Sequence, residues 1–406
     1  MEAEWPLMPL SEAAEINPRV RLKKGVSYPF VNMADVTPGN RDVAPSERRV
    51  YKGGGSRFER GDTLLARITP CLENGKTARY WGNEEEDLAH GSTEFIVFRG
   101  REGVTNSDFV NGLVRSPKVQ DFAILHMTGS SGRQRVPTDA LAHLNVRIPP
   151  LQEQRRIAAV LGALDDKIEL NRRMNRTLEA LSQALFRRRF VRPYLAHQDG
   201  EPLPDGWRLG SPEDLVDINP RIRIKRDTPT RYLGMSEVPT EGFEIGTLEE
   251  REFTSGSKFE QGDTLLARIT PSLENGKTAL VTFLEPGEKA YGSTEFIVLR
   301  GQDGVPPEFV YCLARSPEFR DFAIGHMTGS SGRQRVPNDV FAHFEMAVPD
   351  ADALDAYGRE VAPLFERIVA NHRQSRTLAA LRDALLPELV SGRLRVPESL
   401  DLSART

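Results

Sequence analysis

One stretch decides the fold, LQEQRRIAAVLGALDDKIELNRRMNRTLEALSQALF at residues 151–186. Its apolar residues recur with the period of a helix, and one set of them stands seven apart. A second stretch, at about residues 352–389, repeats this spacing. The predicted seam positions are Leu164, Asn171, Leu178, Leu185, Leu364, Asn371, Leu378 and Leu385. The pattern predicts two long helices that bury these narrow seams against each other.

Two of the seam positions are polar, Asn171 and Asn371. A polar residue in such a seam costs stability but can fix the register of the two helices. The alternative is that both asparagines lie solvated at the edge of the seam.

The whole chain is an internal duplication with an offset of about 200 residues. Gly61–Pro70 returns unchanged at Gly262–Pro271. His126–Pro137 returns letter for letter at His326–Pro337. A repeat this long indicates a duplicated domain rather than a short-period solenoid.

Each copy begins with a globular part in which short apolar runs alternate with Gly, Pro, Asn and Ser. Residues 62–68, 94–98 and 144–148 are predicted strands, and residues 108–125 a predicted helix. We therefore predict an α+β fold. Two similar mixed α/β domains are joined by two long helices, which form an antiparallel coiled coil with pseudo-two-fold symmetry.

The predicted boundaries follow from the repeat. The globular domains are 1–150 and 208–349, the long helices 151–191 and 350–392, the linker 192–207 and the tail 393–406. Pro363 falls near the start of the second helix and leaves a later start, at about residue 363, open.

Composition limits the classes of protein and the partners. The chain has 406 residues, a net charge of −4 and two cysteines, Cys71 and Cys312, which face Ser272 and Gly112 in the other copy. We therefore expect no disulfide, no membrane span, no secretory signal and a cytoplasmic location. An acidic chain is an unusual lone binder of DNA, but its cations can still be concentrated on one face.

Enzyme motifs are missing from the sequence. Asn17-Pro18-Arg19 shares only two letters with the Asn-Pro-Pro-Tyr of amino-methyltransferases. The chain contains no phosphate-binding GxxxxGK[ST] loop and no His/Cys cluster with metal-ligand spacing. We therefore predict no catalytic residues and no metal site.

Polar strings shared by the two copies are the candidates for DNA contact. Hydroxyl, amide and guanidinium groups contact phosphates, and Arg and Gln also read base edges in the major groove. The candidates are Arg67, Asn74, Lys76, Ser130, Ser131, Arg133, Gln134 and Arg135, with Arg268, Asn275, Lys277, Ser330, Ser331, Arg333, Gln334 and Arg335. The alternative is a tight Gly-Ser-Ser-Gly turn beside solvated arginines.

Several short segments, in this order, resemble the specificity subunit of type I restriction-modification systems, HsdS. They are Pro149–Gln154 (PPLQEQ), Leu164–Ile168 (LDDKI), Leu203–Trp207 (LPDGW) and Leu385–Leu389 (LLPEL). Together with the duplication, the resemblance covers almost the whole chain.

The resemblance implies a non-catalytic DNA reader. Each globular part would be a target recognition domain that reads half of a split site, and the helix pair would set the spacing. Two methyltransferase subunits (HsdM), which carry S-adenosylmethionine, would dock on the chain, and restriction subunits (HsdR) would join for cleavage. The chain itself would bind no cofactor.

The likeness of the two copies predicts related half-sites in inverted order, that is, a near-palindromic site. A helix of about 50 Å, at ~3.4 Å per base pair, limits the half-site centres to a separation of roughly 15 base pairs. Residues 29–51 and 231–252 diverge most and are predicted to encode differences between the half-sites.

Three other hypotheses remain open at this stage. A stand-alone DNA-binding regulator would bind duplex DNA without methyltransferases. A helical scaffold would recruit proteins without DNA. An enzyme would need an active site that carries none of the motifs above.

Overall fold

The computed structural model describes residues 5–82, 86–245, 248–330 and 332–397. The chain divides into two compact units. Unit 1 comprises Met1–Glu169 and Ser375–Thr406, and unit 2 comprises Leu170–Gln374. Each unit therefore combines one globular repeat with one half of each long helix.

The described residues form these elements, numbered in chain order. Helices α1 to α9 are Leu10–Ala13, Ser107–Arg115, Pro117–Leu125, Thr138–Ala142, Leu151–Phe186, Arg192–Gln198, Pro307–Arg315, Pro317–Gly325 and Ala351–Ser391. Strands β1 to β11 are Leu7–Pro9, Ala14–Ile16, Ser27–Val31, Asp42–Val43, Glu47–Val50, Ser56–Glu59, Thr63–Ala66, Thr77–Tyr80, Leu88–Gly91, Phe95–Gly100 and Asn145–Arg147. Strands β12 to β21 are Arg208–Gly210, Val216–Ile218, Pro229–Leu233, Glu249–Glu252, Ser257–Glu260, Thr264–Ala267, Thr278–Leu280, Lys289–Gly292, Phe296–Gly301 and Met346–Val348. A π-helical turn lies at Arg187–Val191, and 3-10 turns lie at Pro212–Asp214, Met235–Glu237 and Asn338–His343.

The sheets of the two units correspond. Unit 1 has a five-stranded sheet β2-β10-β7-β8-β4, a four-stranded sheet β5-β3-β9-β6 and the pair β1-β11. Unit 2 has the sheets β13-β20-β17-β18 and β15-β14-β19-β16 and the pair β12-β21. The outer strand β4 has no counterpart among the described strands of unit 2. Two copies of one sequence have thus folded into the same arrangement, as the duplication predicts.

Both long helices are confirmed, and the second begins early. Helix α9 starts at Ala351, so the later start near Pro363 is wrong. Proline removes one backbone donor from a helix. The turns before it nevertheless bury Leu354, Tyr357 and Val361, which are 4%, 0% and 0% exposed, so packing outweighs the lost hydrogen bond.

The two long helices pack antiparallel within each unit. In unit 1, Asp165 pairs with Arg382 at 2.8 Å, while Leu161 and Leu386 flank Gly112. Residue numbers therefore increase along one helix in the direction in which they decrease along the other. In unit 2, the Asn371 side chain donates to Asn175 Oδ1 at 2.8 Å, and Tyr357 lies beside the Ser182 carbonyl.

The predicted seam positions form only part of the stripe that the long helices bury. Asn171 and Asn371 are 0% and 1% exposed, so their placement at a solvated edge is wrong. The six predicted leucines, Leu164, Leu178, Leu185, Leu364, Leu378 and Leu385, are half-buried. The interleaved set is buried more deeply and comprises Leu161, Ile168, Asn175, Ser182, Val361, Ile368 and Arg382. The role of the two seam asparagines in fixing the register stays a prediction.

Three local expectations differ from the structure in their bounds. The single helix predicted at residues 108–125 is two helices, because Ser116 is extended and Pro117 starts a new helix. The predicted linker, residues 192–207, begins with helix α6. The predicted strands at 62–68, 94–98 and 144–148 are β7, β10 and β11 with shifted ends. Cys71 and Cys312 are free thiols, as expected.

Candidate nucleic-acid interface

The repeated string His126–Pro137 forms a loop closed by its own backbone. The amide nitrogens of Thr128 and Arg135 each donate to the carbonyl of the other residue at 2.9 Å. Inside this pair, the Arg133 amide donates to the Ser130 carbonyl at 3.0 Å. Gly129 and Gly132 have φ of +122° and +78°, which favours glycine at both positions.

The loop in unit 2 has the same geometry. Its outer pair, Thr328 and Arg335, is joined by two bonds of 2.9 Å, and its inner turn by a bond of 3.0 Å from Arg333 to Ser330. The predicted residue Ser331 lies outside the described residues. At the described positions of the two loop tips, the exposed residues are Ser130, Ser131, Arg133, Ser330 and Arg333.

In each unit, two of the predicted arginines hold the loop onto the sheet. The Arg67 side chain donates to the Val136 carbonyl at 3.1 Å, and Arg268 donates to Val336 at 2.6 Å. Arg135 binds the carboxylate of Glu94 at 2.7 Å. That hydrogen bond lowers the pKa of Glu94.

Unit 2 repeats this anchor, since Arg335 binds Glu295 at 2.6 Å and lowers its pKa. Because these guanidinium groups already have carboxylate or carbonyl partners, their conservation between copies is accounted for by folding.

The remaining predicted residues lie on or beside the turn before β8 and its copy before β18. Lys76 donates to the Met33 carbonyl at 2.8 Å, and Lys277 to Met235 at 2.7 Å. Asn74 and Asn275 are exposed. Gln134 and Gln334 are half-buried, and their backbone amides donate to the hydroxyl groups of Thr69 and Thr270. The asparagines and the loop tips are therefore accessible to a ligand, whereas each lysine ammonium already donates to a backbone carbonyl.

The structure reveals a basic string that the sequence interpretation missed. After β2, Asn17 adopts φ of +52°, and its side chain accepts from the Val97 amide at 3.0 Å. The next residues alternate: Arg19 and Arg21 point outward and Val20 is buried. The string continues with exposed Lys23 and Lys24; its copy in unit 2 has Arg221, Arg223, Lys225 and Arg226, all exposed.

These eight cations are electrostatically uncompensated. Among the ranges that the structure describes, none of the eight forms an ion pair with a carboxylate. The signal was visible in the sequence, as Arg-Val-Arg and Arg-Ile-Arg after the two Asn-Pro pairs. In each unit the Asn-Pro pair comes directly after a strand, β2 or β13, and ends it.

In unit 2 part of the basic string and one predicted residue, Arg268, meet in one open groove of about 600 Å³. Arg221 and Arg223 line it together with Lys258 and Arg268. Among the described residues that line the groove there is no carboxylate. A groove with this charge attracts phosphate oxygens, and its backbone, hydroxyl and amide groups can bind them.

Metal chemistry finds no support in the described part of the chain, where no group of three His, Cys, Asp or Glu residues could hold an ion. Nor does any helix there combine the length and apolar character of a membrane span.

Comparison with known proteins tests the resemblance that the sequence indicates. A family model described as the type I restriction modification DNA specificity domain matches residues 11–180. The MjaIX specificity subunit of Methanocaldococcus jannaschii is 25% identical and aligns over 97% of this chain and 94% of its own. The predicted resemblance to the specificity subunits of type I restriction-modification systems is therefore confirmed.

Two further relatives and one solved structure are similar to the chain. The HindI specificity subunit of Haemophilus influenzae is 21% identical over 83% of this chain and 87% of its own length. The EcoAI specificity subunit of Escherichia coli is 31% identical over 41% of this chain and 29% of its own. The S subunit structure from M. genitalium gives a TM-score of 0.49 at 14% identity, covering 95% of this chain and 96% of that one.

The descriptions of the matched model and of the relatives indicate the class of function. Specificity subunits recognise DNA inside a restriction-modification complex and are not its catalytic subunits. The prediction of a non-catalytic DNA-recognition subunit is therefore confirmed, and the absence of catalytic residues stays a prediction.

Proposed function

We propose that the chain reads a bipartite, near-palindromic site in duplex DNA, one half-site with each unit, and that methyltransferase subunits dock on it. One observation carries this proposal. The same exposed surface, a glycine-rich loop tip and an uncompensated basic string, occurs in both units. Two alike surfaces in one chain suit two alike half-sites.

The two parts of the surface have different tasks in this proposal. The basic string binds phosphates, because its cations are exposed and have no carboxylate partner in the described ranges. The loop tip, with Arg133 and its neighbour Gln134, offers the side chains that read guanine and adenine edges. Asn74, on the adjacent turn, adds a second adenine reader.

The partners follow from the family. The relatives are specificity subunits of type I restriction enzymes, and this supports two docked methyltransferase subunits in the present complex. Those subunits bring S-adenosylmethionine and transfer its methyl group to adenine, while this chain binds no cofactor. Restriction subunits join the same complex for cleavage.

The test is co-expression of the full chain with its methyltransferase subunit, followed by genome-wide mapping of methylated adenines. The proposal expects one split motif with related halves and an unread spacer. Removing the arginines of both basic strings should abolish the methylation while the protein complex still forms. A contiguous motif, or methylation that does not depend on this chain, contradicts the proposal.

A further inference from the structure

The groove of unit 2 and the same positions of unit 1 differ at few residues. Most lining residues are identical, including Arg221 and Arg268, which correspond to Arg19 and Arg67. One difference, Ile222 for Val20, is apolar and buried. The two polar differences are Lys258, where unit 1 has Arg57, and Asn338, where unit 1 has Thr138.

The first polar difference lies on equivalent edge strands. Arg57 and Lys258 are each the second residue of their strands, β6 and β16, and each faces the same strand position across the ladder. Arg57 is exposed, whereas the Lys258 ammonium lies 5.1 Å from the centroid of the Phe253 ring. A guanidinium fork binds guanine through two parallel hydrogen bonds, while an ammonium acts as a point charge and discriminates less.

The second polar difference begins a short helical turn. Thr138 and Asn338 follow the shared Pro137 and Pro337, which are the N-cap residues of the two turns. Throughout the ranges that the structure describes, neither side chain has a hydrogen-bond partner. An Asn amide pairs with the N6 and N7 of adenine, whereas a Thr methyl group contacts the thymine methyl.

The divergent stretches that the sequence favoured are less suitable readers. Within them, β5 and β15 are the outer strands of their sheets, three strands from β6 and β16, or about 14 Å at the usual strand spacing. All residues of both strands are exposed. Strand β15 reads Glu-Glu-Arg-Glu where β5 reads Glu-Arg-Arg-Val, so it repels phosphates.

We infer that the pairs Arg57/Lys258 and Thr138/Asn338 determine how the two half-sites differ. The half-site of unit 1 carries guanine at Arg57 and thymine at Thr138. The half-site of unit 2 carries adenine at Asn338 and accepts more than one base at Lys258. This assignment rests on the proposed function, because it needs each unit to read one half-site.

The test exchanges the two pairs in the full chain, co-expressed with its methyltransferase subunit, and maps methylated adenines. In the variant K258R/N338T, the second half of the motif should take the two bases of the first half. The preference at each switched base should change by about tenfold to a hundredfold. The reverse variant, R57K/T138N, should move the first half toward the second.

The matched control changes the outer strand instead. The variant E250R/E252V gives β15 the sequence of β5, since residues 250 and 252 correspond to Arg48 and Val50 in the strand register. It should leave every base of the motif unchanged.

A wild-type motif that is fully palindromic, or a motif that both groove variants leave unchanged, overturns the inference. A motif that changes with the outer strand overturns it as well. A wild-type chain that directs no split motif overturns the proposed function and takes this inference with it.

Discussion

Removing four arginines of the two basic strings should weaken DNA binding and reduce its dependence on salt. The change is alanine at Arg19, Arg21, Arg221 and Arg223. All four are exposed, and within the described parts of the chain none has a carboxylate partner. Their loss therefore removes cations without stranding an acidic side chain, and the fold should be unaffected.

The magnitude follows from counterion release. If each arginine neutralises one phosphate, the slope of log K against log salt should become less negative by about 3.6, at ~0.9 per contact. Between 50 and 200 mM salt this amounts to a difference of roughly a hundredfold in the salt-induced loss of affinity. The assay is fluorescence anisotropy of a labelled duplex with the full chain in complex with its methyltransferase subunits.

The matched control is Arg359→Ala. Arg359 is also an exposed arginine, but it lies on helix α9 and pairs with Asp355 at 2.5 Å within its own helix. It should leave the slope unchanged. Equal slopes for the quadruple variant and the wild type would refute the assignment of the basic strings to phosphate contact.

Three further predictions concern stability and the loop. Asp165→Ala should lower the free energy of unfolding by about 3–5 kcal/mol in chemical denaturation, because it leaves the half-buried Arg115 and the buried Arg382 without their shared carboxylate. Burial alone would raise the pKa of Asp165, but those two guanidinium groups outweigh it and lower the pKa. The carboxylate therefore contributes stability above its unfolded pKa of about 3.9. That contribution is lost as pH falls through the lower folded pKa. The difference in unfolding free energy between wild type and Asp165→Ala should therefore shrink in acid. Glu94→Gln should release Arg135 and speed hydrogen exchange of the loop amides, with a change in global stability below about 1 kcal/mol; unchanged exchange would contradict the anchoring role of this pair.

The long helices were predictable because periodicity reports burial directly. What the sequence did not reveal is where the second helix begins. The rule that proline disfavours the interior of a helix predicts a start at Pro363. The helix nevertheless begins at Ala351, because burial of side chains such as Tyr357 stabilises the turns before the proline. Such tertiary packing is not visible in the local sequence.

The candidate interface was predictable only in part. Identity between the copies selects residues that must not change, but it does not separate folding from binding. Arg135 is the same residue in both copies because it forms an ion pair with Glu94. Arg133 is also the same in both copies, although its side chain is exposed. Position in the fold makes this distinction. The basic string was missed for the opposite reason. Its residues are not identical in the two copies, although the alternation of apolar and basic residues and the positive charge are the same.

The buried asparagines of the helix pair show a third limit. Their seven-residue spacing placed them in the seam, yet the spacing alone allowed a solvated position. In unit 2 the Asn171 side chain donates to Gln374 at 2.9 Å, and Asn371 donates to Asn175 at 2.8 Å. Partners on the facing helix make burial of these amides affordable, and they are known only once the helices are aligned.

The central claim is that each unit reads one half of a split site. Its most direct test compares the methylation motifs directed by Arg133→Ala and Arg333→Ala, which change the same exposed loop position in unit 1 and in unit 2 and serve as controls for each other. The account predicts that each variant relaxes base preference in one half of the motif only, and that the two variants affect opposite halves. Relaxation of both halves by either variant, or of the same half by both, would contradict it.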